Sequence, residues 1–190
     1  MIETERLVLR LARRDDVPGI VRYFEENRAH LAPWDPDRPD SFYTEGYWRD
    51  RVQRDAEEFT QDVSLKLWGY LRQTSRDDGD TAGVPICNIN FTNFVRGPGQ
   101  FCRLGYSVAA HAEGRGYMTE GVAAAVQFVF DRLHMHQVQA GYMPHNRRSG
   151  KLLKRLGFTV VGYARDHRLI NGRWEDHVDT ALINRNWRPR

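Results

Sequence analysis

The chain has 190 residues, 41% hydrophobic and 28% charged, an ordinary globular composition that excludes collagen-like and globally disordered classes and fits one domain with a sizeable core. Its 28 Lys+Arg against 25 Asp+Glu leave a net charge of +3 with neutral histidines, and no Lys/Arg-rich block marks a nucleic-acid tail. Arg supplies 25 of the basic residues, which suits bidentate contacts to carboxylate or phosphate, although a compositional bias alone yields the same excess.

Cys87 and Cys102 lack CxxC spacing and read as reduced, buried thiols. The opening MIETERLVLRLARRDD has charges interrupting each apolar run, and no stretch reaches 18 apolar residues, so a cytoplasmic protein without membrane or direct nucleic-acid specificity is expected.

Residues 5–11 alternate as a half-buried strand, and the Arg13 to Asp16 turn leads into a helix over Val17 to Asn27. Residues 29–42, with three prolines and Trp34, read as an irregular surface segment before a second helix over Tyr43 to Phe59. A strand over Leu65–Gln73 precedes the turn-rich SRDDGDTAG, whose Asp77, Asp78 and Asp80 fit a solvated turn better than a Ca²⁺ loop. Strands over Val84–Asn93 and Phe101–Val108 flank the turn Arg96 to Gly99. Then MTEGVAAAVQFVFDRLH reads as a 17-residue helix with an apolar face including Val122, Val126, Val129 and Leu133. A strand over Val138–Tyr142 and a short basic helix from Asn146 to Leu156, stopped at Gly157, follow. Strands Phe158–Leu169 and Glu175–Ile183, joined at Asn171-Gly172, complete an α+β domain with a mixed, largely antiparallel central sheet flanked by helices.

The strongest chemical signal is His111-Ala112-Glu113-Gly114-Arg115-Gly116 between a strand and a long helix. Glycines there let backbone N–H groups converge on an anion at the positive end of the helix, so a phosphate or pyrophosphate is the natural guest. No GxxxxGK[ST] occurs, and no HExxH or EF-hand pattern does either, so no metal is expected.

The runs LGYSVAAHAEGRGYMTEG, YMPHNRRSGKLLKRLGF and GYARDHRLINGRWEDHV, strongest over residues 104–183 with TERLVLR and the segment near Trp34 also fitting, resemble the GNAT superfamily of N-acyltransferases. Its bacterial ribosomal-protein-alanine N-acetyltransferases (RimJ/RimL-like) are the most similar branch. The resemblance implies a single domain over 1–190 with a cleft opened by splayed strands, and acetyl-CoA as the acyl donor without a metal. The family's pyrophosphate motif [QR]xxGx[GA] falls on His111, Gly114 and Gly116, with histidine in place of the usual first residue. The implied cofactor-binding set is Tyr106, Ser107 and Val108 on the strand, His111, Ala112, Glu113, Gly114, Arg115, Gly116, Tyr117 and Met118 at the loop and helix start, and Asn146, Arg147 and Ser149 on the later helix. Asn146 equally suits a helix cap.

The implied reaction is direct acetyl transfer to an α-amine, with Ser149 donating to the departing thiolate. The acceptor is a protein N-terminus bearing Ala or Ser, for instance ribosomal, with a small-molecule amine or antibiotic as the alternative and a non-catalytic acyl-CoA-binding or ribosome-associated factor as the second. Related enzymes often place Glu three residues after the Phe of LGF, where this chain has Val161. Glu120, Asp176 and His177 are the substitute catalytic candidates. Trp34, Phe42, Asn90, Asn93, Phe94 and Tyr142 are the acceptor-lining candidates, and a monomer or homodimer is compatible with the sequence.

Overall fold

A computed structural model describes residues 1–72 and 83–189. The Asp77 to Asp80 turn therefore lies outside the described residues. Strand β1 (Ile2–Glu3) and β2 (Leu7–Arg10) lead through a 3-10 turn at Arg14–Asp16 into α1 (Val17–Glu26), the one-turn α2 (Arg28–Leu31), a second 3-10 turn at Asp40–Tyr43 and α3 (Glu45–Thr60). There follow β3 (Leu65–Leu71), β4 (Cys87–Val95), β5 (Phe101–Val108), α4 (Tyr117–Asp131), β6 (Gln137–Tyr142), α5 (Arg147–Arg155), β7 (Thr159–Ile170) and β8 (Arg173–Ile183). The expected strands and helices are all present with ends moved by a few residues, while the single turn of α2 enters the segment read as irregular and β1 adds a short strand before the expected first one.

The eight strands form one sheet in the order β1-β2-β3-β4-β5-β6-β8-β7, antiparallel except where β5 meets β6. That one parallel pair positions the site. Its register runs from Phe101↔Gln137 only to Leu104↔Ala140, whereas β5 continues to Val108 and β6 to Tyr142. The two strands thus separate toward their C-terminal ends and leave backbone groups without a ladder partner, the opening in which α/β sheets hold ligands.

Strand alternation assigns the two faces. Tyr106 sits opposite Ile89, and Ile89 with Leu7 and Leu9 packs under Gly121 of α4, where a β-carbon would come within 3.0 Å of Ile89. Ser107 and Gly105 sit opposite Asn88 and Asn90 on the other face, beneath α1 and α3. There Phe24, Phe42, Trp48 and Trp68 form an aromatic core, with Phe24 stacked on Trp48 at 5.1 Å between ring centroids. Phe42 is only 4% exposed, so it is a core residue and not a free acceptor contact.

Arg10 and Asp16 form a buried two-pronged ion pair at 2.6 and 2.7 Å, and Asp16 also accepts from the Arg13 amide. Burial alone would raise the Asp16 carboxyl, but these bonds outweigh it and hold it below the usual range. The pair ties β2 to the start of α1.

Candidate active site

The glycine loop leaves β5 through a 3-10 turn at Ala110–Ala112 and enters α4 at Gly116. Gly114 and Gly116 have φ of +72° and +82°, backbone that a side chain strains and glycine does not. Among the described residues, the amides of Gly114, Arg115 and Gly116 meet no protein acceptor, so the loop presents donors at the positive end of a 15-residue helix. Two anchors hold it. The Asn27 side chain accepts from the Ala110 amide at 2.8 Å and donates to the Tyr23 carbonyl, fixing the loop to α1. On the other side Arg6 donates to the Arg115 carbonyl at 2.9 Å and lies over the Tyr117 ring.

Glu120 completes the second anchor and is thereby removed from the catalytic candidates. Its carboxylate accepts from the Thr4 hydroxyl at 2.6 Å, the Arg6 amide at 2.8 Å and the Arg6 guanidinium at 2.7 Å. Partial burial pushes its carboxyl up, yet these donors together hold it below the usual glutamate range, the reverse of what a general base near neutrality needs. Within the loop, His111 is exposed, Ala112 and Met118 turn their side chains into the core, and Glu113 pairs with Arg148 and lies 3.6 Å from His30. The cofactor-side offer of these positions is therefore mostly backbone.

Across the opening, Asn146 caps α5 by accepting from the Ser149 amide at 3.1 Å. That capped first turn places the Ser149 hydroxyl 2.8 Å from the Tyr106 hydroxyl of β5. Burial pushes the Tyr106 phenol up to about 12, against a smaller opposing effect of the Ser149 bond, so it keeps its proton at neutral pH. Tyr142 packs against Gly150 of α5, where a β-carbon would stand 2.8 Å from the ring. Arg147 is exposed beside this turn.

On the opposite face, Tyr23 shares a hydrogen bond with Ser107 at 2.8 Å, Asn88 donates to the same Ser107 oxygen at 2.7 Å, and Asn90 donates to Asn88 at 3.1 Å. This polar chain crosses the splayed end of β5 on the face turned away from Tyr106, and Val108 offers its carbonyl to His30 at 3.2 Å. Asn93 and Phe94 sit within the β4 irregularity between Thr92 and Val95, toward the Phe101 end of β5 and away from the splayed end, with Arg96 over the Phe94 ring. Trp34 faces His145 of the β6–α5 connection, 5.5 Å between rings.

His177 on β8 is 5% exposed, shares a face with Gly141 and meets the Glu175 carbonyl through Nδ1 at 3.1 Å. Burial lowers its pKa, with Arg168 and His167 adding to the effect, so the imidazole is neutral. Asp176 points the other way. It accepts from Tyr163 at 2.6 Å and from the Asp166 amide at 2.9 Å on the exposed β7–β8 hairpin, and these bonds lower its carboxyl. Val161 falls in the β7 irregularity between Val160 and Gly162 and is 64% exposed. Sequence reasoning missed Arg6, Tyr23, Asn27 and Asn88, each of which meets a partner at least 19 positions away in the chain.

Among the described residues, no group of three or more His, Cys, Asp or Glu side chains is placed to hold a metal, and no helix is long and apolar enough to cross a membrane. The acetyltransferase (GNAT) domain family matches residues 6–159. The chain is 40% identical over 188 residues to the ribosomal protein uS5-alanine N-acetyltransferase of Escherichia coli, covering 99% of this chain and 93% of that one. A solved ribosomal-protein-S5-alanine acetyltransferase from Vibrio fischeri superposes with a TM-score of 0.89 at 32% identity, covering 98% of each chain. Mycobacterium smegmatis RimJ, solved with CoA-disulfide, shares the fold at 22% identity and a TM-score of 0.83, over 93% of this chain and 81% of that one. With its splayed β5–β6 pair, glycine loop and capped α5, this chain belongs to the GNAT family of acetyltransferases.

Proposed function

We propose that this enzyme transfers acetyl from acetyl-CoA to the α-amine of a protein N-terminus, with the terminal alanine of a ribosomal protein as the favoured acceptor. The observation that carries the reading is the 40% identity to the uS5-alanine enzyme along 99% of the chain, together with a β5–β6 ladder that stops at Leu104↔Ala140. The donor thioester supplies an activated acyl carbon. The residues of this chain do the rest. Loop amides at Gly114 to Gly116 and the α4 N-terminus suit the pyrophosphate, and the unpaired edges of β5 and β6 suit the amides of the pantetheine arm. Backbone N–H groups beyond Leu104 are the available donors for a developing oxyanion.

Tyr106 and Ser149 form a hydroxyl pair able to deliver a proton to the leaving sulfur, and the raised Tyr106 pKa keeps that proton available. On the other face Ser107, Asn88, Asn90, His177 and Trp34 bound the acceptor's approach. An α-amine, with an ordinary pKa of about 7.7–8.0, is easier to neutralise than lysine by roughly 2.5 units, which fits a site lacking the Glu that Val161 replaces. The test is a panel of Ala-, Ser-, Thr- and Met-starting peptides, small amines and a lysine-blocked control, followed by CoA release and acceptor mass. Acetylation of Ala-starting peptides over the small amines is expected; turnover confined to small amines sinks the reading.

A further inference from the structure

Where the β5–β6 ladder ends, at Leu104↔Ala140, the next residue of each strand is glycine. Gly105 and Gly141 thus stand level with each other on the two banks of the split, and both are exposed, while the four residues before them on each strand alternate between half-buried and buried. Strand alternation puts them on the face away from Tyr106 and Tyr142. The tyrosine face is filled, since Tyr106 reaches Ser149 of α5 and Tyr142 packs on Gly150. Local structure does not call for glycine at the fork. Neither residue has left-handed φ, and the pairings of Gly105 with Asn90 and of Gly141 with Asp179 are regular. A β-carbon on Gly105 would meet nothing within 4 Å; on Gly141 it would stand 3.2 Å from Asp179 Oδ1 and 3.7 Å from His177 Cδ2, both side-chain atoms. Glycine weakens a strand interior, and with no bulge or neighbouring backbone to explain it, close approach by a ligand is the reason that remains.

We propose that Gly105 and Gly141 are the specificity-determining floor of the acceptor port: the α-amine reaches the acyl carbon over these two glycines, and the room left by their missing side chains admits the first side chain of the acceptor peptide. The inference rests on the transferase reading above and deepens it. On that reading the leaving sulfur is served by the Tyr106 and Ser149 hydroxyls, so the incoming amine has the glycine face left to it. The backbone donors beyond Leu104 that suit a developing oxyanion belong to the same two residues and their successors.

The rim of this floor is polar and carries an independent sign of a ligand. Asn90 lies beside Gly105 on β4 and Asp179 beside Gly141 on β8, with Arg103 3.5 Å from Asp179. His177, only 5% exposed, turns its Cδ2 edge toward Gly141. Its Nδ1 faces the Glu175 carbonyl, which can only accept, so Nδ1 carries the hydrogen and Nε2, bonded to Cδ2, keeps the lone pair. Among the described residues that nitrogen meets no hydrogen-bond partner, which leaves a buried acceptor beside the floor for an incoming N–H. A first residue as small as alanine or serine fits a floor without side chains, and a methyl group added to that floor competes with it for the same room.

The experiment compares wild type, Gly105→Ala and Gly141→Ala on peptides that differ only in a first residue of Gly, Ala or Thr, with CoA binding by calorimetry and thermal melting alongside. Each variant is expected to lower kcat/KM for the Ala-starting peptide by about 10-fold and for the Thr-starting peptide by more, while the Gly-starting peptide loses least, so the Ala-to-Gly ratio falls. CoA affinity and the melting temperature stay at their wild-type values. An Ala-to-Gly ratio unchanged in both variants overturns the glycine assignment alone, whether activity is kept or lost evenly. A matching loss of CoA affinity overturns it too, by putting the glycines on the donor's path. A wild-type enzyme that acetylates small amines but no peptide overturns the peptide reading and the proposal with it, before either variant is made. Should Gly141→Ala melt early through its contact with Asp179, Gly105→Ala decides alone, because its β-carbon has open space.

Discussion

The hydroxyls of Tyr106 and Ser149 meet at 2.8 Å across the gap between β5 and the first turn of α5, joining two elements separated by 43 residues in sequence. Asn146 sets that distance, since its cap bond to the Ser149 amide orients the turn. A serine proton alone is a poor acid; coupled to a phenol held protonated by burial it becomes a relay. Ser149→Ala is expected to lower kcat by about 10²-fold with little change in the KM for acetyl-CoA, Tyr106→Phe to lower it similarly, and the double variant to lose no more than the worse single one. Strictly additive losses in steady-state kinetics would show that the two hydroxyls act separately.

Glu120 and Arg6 brace the phosphate loop from outside. Glu120→Gln removes a half-exposed ion pair and weakens the Arg6 contact to the Arg115 carbonyl, so it should raise the KM for acetyl-CoA several-fold and cost roughly 1 kcal/mol of stability after allowance for solvent screening. The sign with pH follows from the lowered folded pKa. Stability from Glu120 is fully present above its unfolded pKa of about 4.3 and is lost as pH falls through the lower folded value. Urea denaturation of wild type and variant should therefore differ most at pH 7 and by less at pH 3. Equal spacing at both values would deny the ionised pairing.

Gly114 and Gly116 differ in a way that kinetics can read. Both need left-handed backbone, so alanine at either costs about 1 kcal/mol of local strain. A β-carbon on Gly114 meets nothing within 4 Å, but one on Gly116 stands 3.3 Å from the Arg6 guanidinium and pushes on the brace. Gly116→Ala is expected to raise the KM for acetyl-CoA more than Gly114→Ala does, with kcat altered less than KM in both. A larger effect from Gly114→Ala would mean that cavity space above the loop, and not the brace, governs binding.

These consequences trace which features were legible in the chain. The loop was, because Gly114, Gly116 and the apolar periodicity of α4 are local signals. So was the Asn146 cap. Phe42, Asn93, Phe94 and Tyr142 were misplaced because aromatic or amide type says nothing about which strand face or sheet end a residue occupies; register decides that, and register is set by partners far along the chain. Glu120 and Asp176 failed for a related reason. A carboxylate's availability depends on the donors around it, and Thr4 and Arg6 lie 116 and 114 positions from Glu120.

His177 is buried, and with Nδ1 engaged by the Glu175 carbonyl it is held within the β-hairpin close to Gly141. Burial lowers its pKa from the ordinary histidine value of about 6.5, with the Glu175 bond opposing, so the imidazole is neutral at pH 8. As a wall residue, it should tolerate substitution: His177→Gln is expected to keep the wild-type fall in kcat/KM at low pH and to lose less than about 10-fold at pH 8. A pH–rate profile in which His177→Gln flattens the acid limb would instead give the proton-accepting role to the imidazole.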